Sequence, residues 1–289
     1  MIPDLSGKTK IIGLLGYPVS HSLSPAMHNA AFQKAGLDFV YVCFPVKPEE
    51  LGKAINGIRT LNIAGVNITV PHKSAAIPYV DEVSEEAKKI GAINTIVNRE
   101  GRLFAYNTDV NGFWQSLENE GISLKGARVV MLGAGGVARA FAVGTILKNA
   151  ASLAISDIIP KKAEELVQDV KSMASDAEIV SVTPDSSGFK ELLGKAGLII
   201  NATPLGMKPD DPFPFTRAQW DAVRSSTVIF DAVYNLKGTQ LQKAAQEKGI
   251  AYISGIEMLL FQGVRAFELW TGVRPDALLM KKVLQEKLA

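Results

Sequence analysis

The run Arg128–Leu132 leads directly into Gly133-Ala134-Gly135-Gly136-Val137-Ala138, and a helical pattern follows from Val137 to Leu147. Few folds can hold a buried strand that breaks into G-x-G-x-x-G/A and then opens a helix. The tight turn needs glycine. A backbone without Cβ atoms can approach a pyrophosphate, and the amides at the helix start point at the anion. Gly133, Ala134, Gly135, Gly136 and Val137 are therefore candidate cofactor-binding positions. Further short apolar runs occupy Leu153–Ser156, Glu178–Val182, Leu198–Asn201, Val228–Val233 and Ala251–Ser254. Together with Ala127–Leu132 they make six strands, spaced widely enough for the crossover helices of a parallel sheet. The pattern predicts α/β class and a doubly wound Rossmann-type domain.

The N-terminal part alternates as well. Lys10–Gly16, Phe39–Val46 and Gly65–Val70 read as strands, with helices over Pro25–Gly36 and Pro48–Leu61. Ala92–Asn98 and Arg102–Tyr106 flank Arg99-Glu100-Gly101 as a hairpin. Val110, Phe113, Trp114 and Leu117 form one apolar helical face, with Asp109 at the expected N-cap. Two last helices, Ile256–Thr271 and Pro275–Leu288, follow the sixth strand and are expected to return to the first domain. The expected division is thus an α/β domain of residues 1–108 with 256–289, and a nucleotide domain of residues 109–255.

Composition narrows the function classes. A net charge of +2, from 31 basic and 29 acidic residues, gives no field for nucleic acid or an anionic membrane. Cys43 is the only cysteine, so no internal disulfide or cysteine-cluster metal site can form. His21, His28 and His72 show no metal-ligand spacing. Met1–Lys10 lacks the apolar stretch of a signal peptide, and no 18 apolar residues run together. A cytoplasmic protein with a small-molecule substrate and no bound metal is expected, as a monomer or homodimer.

Asp157 ends the second Rossmann strand, 24 positions after Gly133. An acidic residue there accepts hydrogen bonds from the adenosine ribose of NAD, although it could equally cap a helix beginning near Pro160. Small polar residues cluster in the N-terminal half, at Ser20–Pro25, Asn67–Lys73, Asn94-Thr95 and Asn107-Thr108-Asp109. Each group ends a predicted strand or begins a helix, where open α/β sheets bind ligands. Singly they have plain structural explanations: Ser24 and Asp109 as helix caps, Lys73 as a solvated lysine, Asn94 as a turn residue. Together they supply hydroxyls, amides, an ammonium and a carboxylate, a suitable lining for a polyhydroxylated acid.

These segments carry a specific resemblance. Ser22-Leu23-Ser24-Pro25, Asn67–Lys73, Gly91–Thr95, Tyr106–Asp109, Gly133–Ala138, Asn201–Met207, Asp231–Asn235 and Gly255 through Met258 to Gln262 resemble, in order, the motifs of the shikimate dehydrogenase family. The resemblance implies an active site between two domains and a place in aromatic amino acid biosynthesis, the chorismate pathway. It implies that Ser22 and Ser24 hold the substrate carboxylate with help from Tyr234. Thr69, Asn94, Asp109 and Gln262 would bind ring hydroxyls, and Lys73, paired with Asp109, would transfer the proton. Thr203, Val233 and Gly255 would join the glycine loop and Asp157 at the cofactor.

Two departures stand out. Family members that use NADP carry arginines after the second strand, whereas this chain has Asp157-Ile158-Ile159-Pro160-Lys161-Lys162. NAD is therefore the expected cofactor, with NADP possible. Thr-Asp-Gly is replaced by Thr108-Asp109-Val110. Competing expectations are a dehydrogenase acting mainly on quinate, a methylenetetrahydrofolate dehydrogenase, and a non-catalytic nucleotide-sensing regulator.

Overall fold

The apolar strand β1 (Lys10–Gly16) runs parallel to β2 (Phe39–Pro45) on one side and to β3 (Gly65–Ile68) on the other. Parallel neighbours need crossovers, and α1 (Ser24–Lys34) and α2 (Leu51–Thr60) supply them. The sheet then changes sense. After β4 (Glu82–Val83) and α3 (Glu85–Ile90), strands β5 (Thr95–Arg99) and β6 (Arg102–Tyr106) form a hairpin, with β5 antiparallel to β3. Glu100 and Gly101 make the turn at φ 54° and 86°. The resulting six-stranded sheet has the order β2-β1-β3-β5-β6-β4. This computed structural model describes residues 5–173, 177–208, 210–235 and 238–288, so the first four residues of Met1–Lys10 lie outside it.

Helix α4 (Thr108–Asn119) leads into the second sheet. Its strands are β7 (Arg128–Leu132), β8 (Ser152–Ser156), β9 (Glu178–Ser181), β10 (Leu198–Asn201), β11 (Val228–Asp231) and β12 (Ala251–Ser254). Between them lie α5 (Ala138–Leu147), α6 (Pro160–Lys171), α7 (Ser187–Lys195), α8 (Arg217–Ala222) and α9 (Gln240–Glu247). All pairs are parallel, in the order β12-β11-β10-β7-β8-β9. This is the doubly wound order, which reverses direction between β7 and β10. The chain ends with α10 (Gly255–Thr271) and α11 (Ala277–Leu288).

The chain divides into Met1–Gly112 with Leu259–Ala289, and Phe113–Met258. The divisions fall inside α4 and α10, whereas the sequence placed them at the starts of these helices. The sequence reading also assigned no element between Val70 and Ala92. A two-residue strand is too short to show alternation, but α3 did carry signals: Ser84 accepts from the Ala87 amide as an N-cap, and Gly91 closes the helix at φ 69°.

In the first unit, Leu260, Phe267, Met280 and Leu284 share a core with Ile12, Met27, Phe32 and Tyr41. Within this core the His28 imidazole stacks on Tyr41 at 4.8 Å and meets Trp270 edge-on at 5.3 Å. Among the described residues neither ring nitrogen has a hydrogen-bond partner, and burial pulls the imidazole down from 6.5 to about 3. The folded state therefore binds fewer protons here than the unfolded chain between about pH 3 and pH 6.5. The stability contributed by neutral His28 is present above the upper value and is lost as pH falls across that window. His28→Phe should keep the stacking, remove the unpaired nitrogens and flatten the acid decline. Urea midpoints measured across the window check this, and an unchanged acid slope would contradict it.

Candidate active site

In the first unit, the polar segments converge because the β5–β6 hairpin places their ends side by side. The Asn94 amide nitrogen donates to the Tyr106 carbonyl at 2.9 Å, so the residues before β5 lie beside those after β6. The Ile93 amide donates to the Lys73 carbonyl at 2.8 Å, which brings in the loop after β3. The side chains then meet. The Lys73 ammonium donates to Asp109 Oδ2 at 2.6 Å, and Asn94 Nδ2 donates to Asp109 Oδ1 at 3.0 Å. Asp109 is buried, while the Lys73 side chain keeps 29% of its surface exposed. The result is an ion pair on the edge of a buried polar cluster, with its lysine open to a ligand.

Asp109 was expected as the cap of α4, but Asn107 takes that role. Asn107 Oδ1 accepts from the Asp109 amide at 3.0 Å and the Val110 amide at 3.4 Å, while Asn107 Nδ2 holds the Ala92 carbonyl. Both Asp109 oxygens are thereby left for Lys73 and Asn94. Ser24 likewise does not cap α1. Leu23 occupies the N-cap position without a side-chain bond, and Ser22 Oγ accepts from the Ser24 amide at 3.3 Å. The nearby Tyr41 phenol donates to Asn67 Oδ1 at 2.7 Å, and burial pushes its pKa up. Thr69 follows β3, its amide held by the Leu15 carbonyl at 2.9 Å. Gln262, on α10, is buried, accepting from Thr108 Oγ1 at 3.5 Å and donating to the Leu259 carbonyl at 2.9 Å. Val110, in place of glycine, is fully buried.

In the second unit, Gly133 sits at φ 92°, and a Cβ there would lie 2.9 Å from the Ala202 carbonyl oxygen. Nothing lies within 4 Å of a Cβ at Gly135 or Gly136, so their backbone is open to a ligand. Helix α5 begins at Ala138 with Val137 as N-cap. Asp157 does not cap α6, whose N-cap is Ile159. One Asp157 oxygen accepts from the Ala134 amide at 2.7 Å and the other from the Ile159 amide at 2.8 Å. The carboxylate thus ties the glycine loop to the end of β8. Thr203 donates from amide and hydroxyl to Asn201 Oδ1, and the Val233 amide donates to Asp231 Oδ1. Gly255 is required by packing, since a Cβ would lie 2.3 Å from the Ala232 carbonyl oxygen. Tyr234 is exposed. An open glycine turn, an acidic residue after the next strand and a helix start fit a dinucleotide.

Residues 14–96 match the family described as shikimate dehydrogenase substrate binding domain, and residues 255–285 the shikimate 5'-dehydrogenase C-terminal domain. A relative from Carboxydothermus hydrogenoformans, named shikimate dehydrogenase (NADP(+)), is 42% identical over 97% of this chain and 98% of its own. The chain belongs to the shikimate dehydrogenase family. Seven further relatives at 39–43% identity bear the same name. Among solved structures, the Listeria monocytogenes shikimate 5-dehydrogenase in complex with shikimate and NAD superposes with a TM-score of 0.91 at 33% identity, covering 98% of this chain and 99% of that one. A Corynebacterium glutamicum quinate dehydrogenase in complex with NAD superposes with a TM-score of 0.87 at 31% identity, covering 96% and 99%. Similarity of this extent leaves no support for the methylenetetrahydrofolate alternative. As a member of this family the chain is an NAD(P)-dependent dehydrogenase, which removes the regulator alternative.

Sequence reasoning placed Asn67, Thr95 and Thr108 in the polar segments and Asn201 and Asp231 in the motifs but gave none of these buried residues an individual role. Three of them shared a readable signal. Asn67, Asn201 and Asp231 are single polar residues in otherwise apolar strands, GVNI, LIIN and VIFD. Asp231 takes bonds from Tyr252, Asn201 and the Val233 amide, while burial pushes its carboxyl up. The exchange of caps at α4 has a direct test. Asn107→Ala should cost ~0.5–2 kcal/mol of stability, the range for losing an N-cap. A denaturation midpoint equal to wild type would return the capping role to Asp109.

Proposed function

We propose that this chain catalyses the reversible oxidation of the shikimate 3-hydroxyl to the ketone of 3-dehydroshikimate, with NAD as its preferred cofactor. The observation that carries the activity is the Lys73–Asp109 ion pair at 2.6 Å, flanked by the Asn94 amide, in a chain of this family. When bound, the nicotinamide accepts or supplies the hydride.

The residues of the chain bind, orient and move the proton. Ser22 and Ser24 hold the substrate carboxylate. Thr69, Asn94, Asp109 and Gln262 take the ring hydroxyls. In the reductive direction the Lys73 ammonium donates a proton to the forming alkoxide and stabilises its charge. In the oxidative direction the amine receives the hydroxyl proton. Asp109 keeps the lysine pointed at the reacting oxygen. This division of labour predicts that Lys73→Ala lowers kcat by ~100-fold or more. KM for shikimate should change much less, because several other groups hold the substrate. A folded variant retaining more than about a third of wild-type kcat, far above the loss expected for a proton-transfer group, would remove Lys73 from that role.

The cofactor preference rests on Asp157. The curated relatives carry NADP(+) in their names, while the Listeria enzyme was solved with NAD, so both cofactors occur in the family. Here the β8 strand ends in a carboxylate, and no arginine lies within Ile158–Glu165. Glycine, Thr203 and Val233 positions serve either cofactor, but a 2′-phosphate beside Asp157 would meet negative charge and lose a ribose donor. Lys161 is largely exposed and lies 3.9 Å from Glu165, so it offers at most a screened charge. Initial rates of nicotinamide absorbance change should be measured with shikimate and quinate against NAD and NADP. A kcat/KM advantage of ~10-fold or more for NAD with shikimate is expected, equivalent to ~1.4 kcal/mol. Equal or better efficiency with NADP overturns the role of Asp157, and faster turnover of quinate overturns the substrate. No turnover of either acid overturns the activity.

A further inference from the structure

The geometry points to Thr95 as a positioning residue for the Lys73–Asp109 pair, acting through the Asn94 amide; the kinetic part of this inference rests on the function proposed above. Thr95 is fully buried and touches neither Lys73 nor Asp109 by any hydrogen bond described. Its hydroxyl nevertheless joins two halves of one buried chain.

The orientation of both amides in that chain is dictated by its ends. At one end, the Asp109 carboxylate can only accept, so Asn94 must turn its NH2 group toward it. The Asn94 carbonyl oxygen then faces the other way. There it accepts from the Thr108 amide at 2.7 Å, the Thr95 hydroxyl at 3.0 Å and the Thr108 hydroxyl at 3.1 Å. At the other end, Asn67 Nδ2 donates to the Asn94 backbone carbonyl at 3.0 Å, which again can only accept. The same NH2 group donates to Thr95 Oγ1 at 3.1 Å, so Asn67 Oδ1 must accept from the Tyr41 phenol at 2.7 Å. Thr95 Oγ1 accepts from Asn67 and donates to Asn94 Oδ1, while between it and Thr108 Oγ1, 3.2 Å away, either hydroxyl can donate. Donation therefore runs one way, from Tyr41 through Asn67 and Thr95 to Asn94 and Asp109.

Two consequences follow. A one-way chain polarises each bond in the same sense, which strengthens the last donor, the Asn94 NH2 on Asp109. A reversed Asn94 would place a carbonyl oxygen against the Asp109 carboxylate and an NH2 against the Thr108 amide, which can only donate, so these two fix the amide and the Thr95 and Thr108 hydroxyls add to its hold.

Thr95→Val keeps the shape of the side chain and removes the hydroxyl. It should lower kcat/KM for shikimate roughly tenfold, the scale of one lost hydrogen bond in the chain, with KM for the cofactor unchanged. Thr95→Ser, which restores the hydroxyl, should recover most of the loss. Tyr41→Phe removes the first donor and should act in the same direction, more weakly; it carries the test if Thr95→Val does not fold. The side-chain NH2 of Asn94 in 1H–15N spectra reads the chain without substrate, and should shift and exchange faster in Thr95→Val but not in Thr95→Ser. A folded Thr95→Val with wild-type kinetics, or with an unchanged Asn94 amide, overturns the positioning role. If wild type fails to turn over shikimate, the proposed activity falls, and the Asn94 amide alone then decides for or against the chain.

Discussion

Thr95 pairs with Tyr106 across the β5–β6 hairpin, and this register carries the polar site of the first unit. Asn94 and Asp109 are fifteen residues apart in sequence, yet their side chains meet because the hairpin folds the chain back at Glu100-Gly101. Strand β3, antiparallel to β5, delivers Asn67 to the same place, and the loop after it delivers Lys73. A slip of one residue in this pairing would turn the alternating side chains to the opposite face and scatter the cluster.

Burial sets the stakes of that arrangement. Asn67, Asn94, Thr95, Asn107, Thr108 and Asp109 are all buried polar residues, and a buried polar group without a partner costs ~1–3 kcal/mol. Here they satisfy one another, with Asn107 closing the helix start so that the Asp109 carboxylate stays available. His28, a few residues from Ser24 on α1, shows the contrary case: a core imidazole with no hydrogen-bond partner among the described residues, held neutral by burial.

The second unit uses a carboxylate in a comparable way. Asp157 binds the Ala134 and Ile159 amides and so fixes the glycine loop relative to the end of β8. The same carboxylate is the charge that a 2′-phosphate would meet. One side chain therefore shapes the loop and weighs on cofactor choice, while Asp231 and Asn201 brace the loops after β10 and β11 from below.

By itself, the sequence determined the two sheets, because β-branched runs, crossover lengths and the glycine turn are local properties of the chain. It also determined which segments carry polar chemistry, since Ser22–Pro25, Asn67–Lys73 and Asn107–Asp109 break the apolar pattern where strands end. It left open which oxygen of each group would be free. Ser24, Asp109 and Asp157 each looked like a plausible cap, and in each case the cap position proved to be filled by a neighbour: Leu23, Asn107 and Ile159. Only the tertiary structure could decide this, because a cap is assigned by backbone angles at one residue, whereas the partner that claims a freed carboxylate or hydroxyl arrives from another strand. Lys73 with Asp109, Asn67 with Thr95 and Asp157 with Ala134 are contacts between segments far apart in sequence, and hydrogen-bond direction across a sheet leaves no periodic trace in the chain.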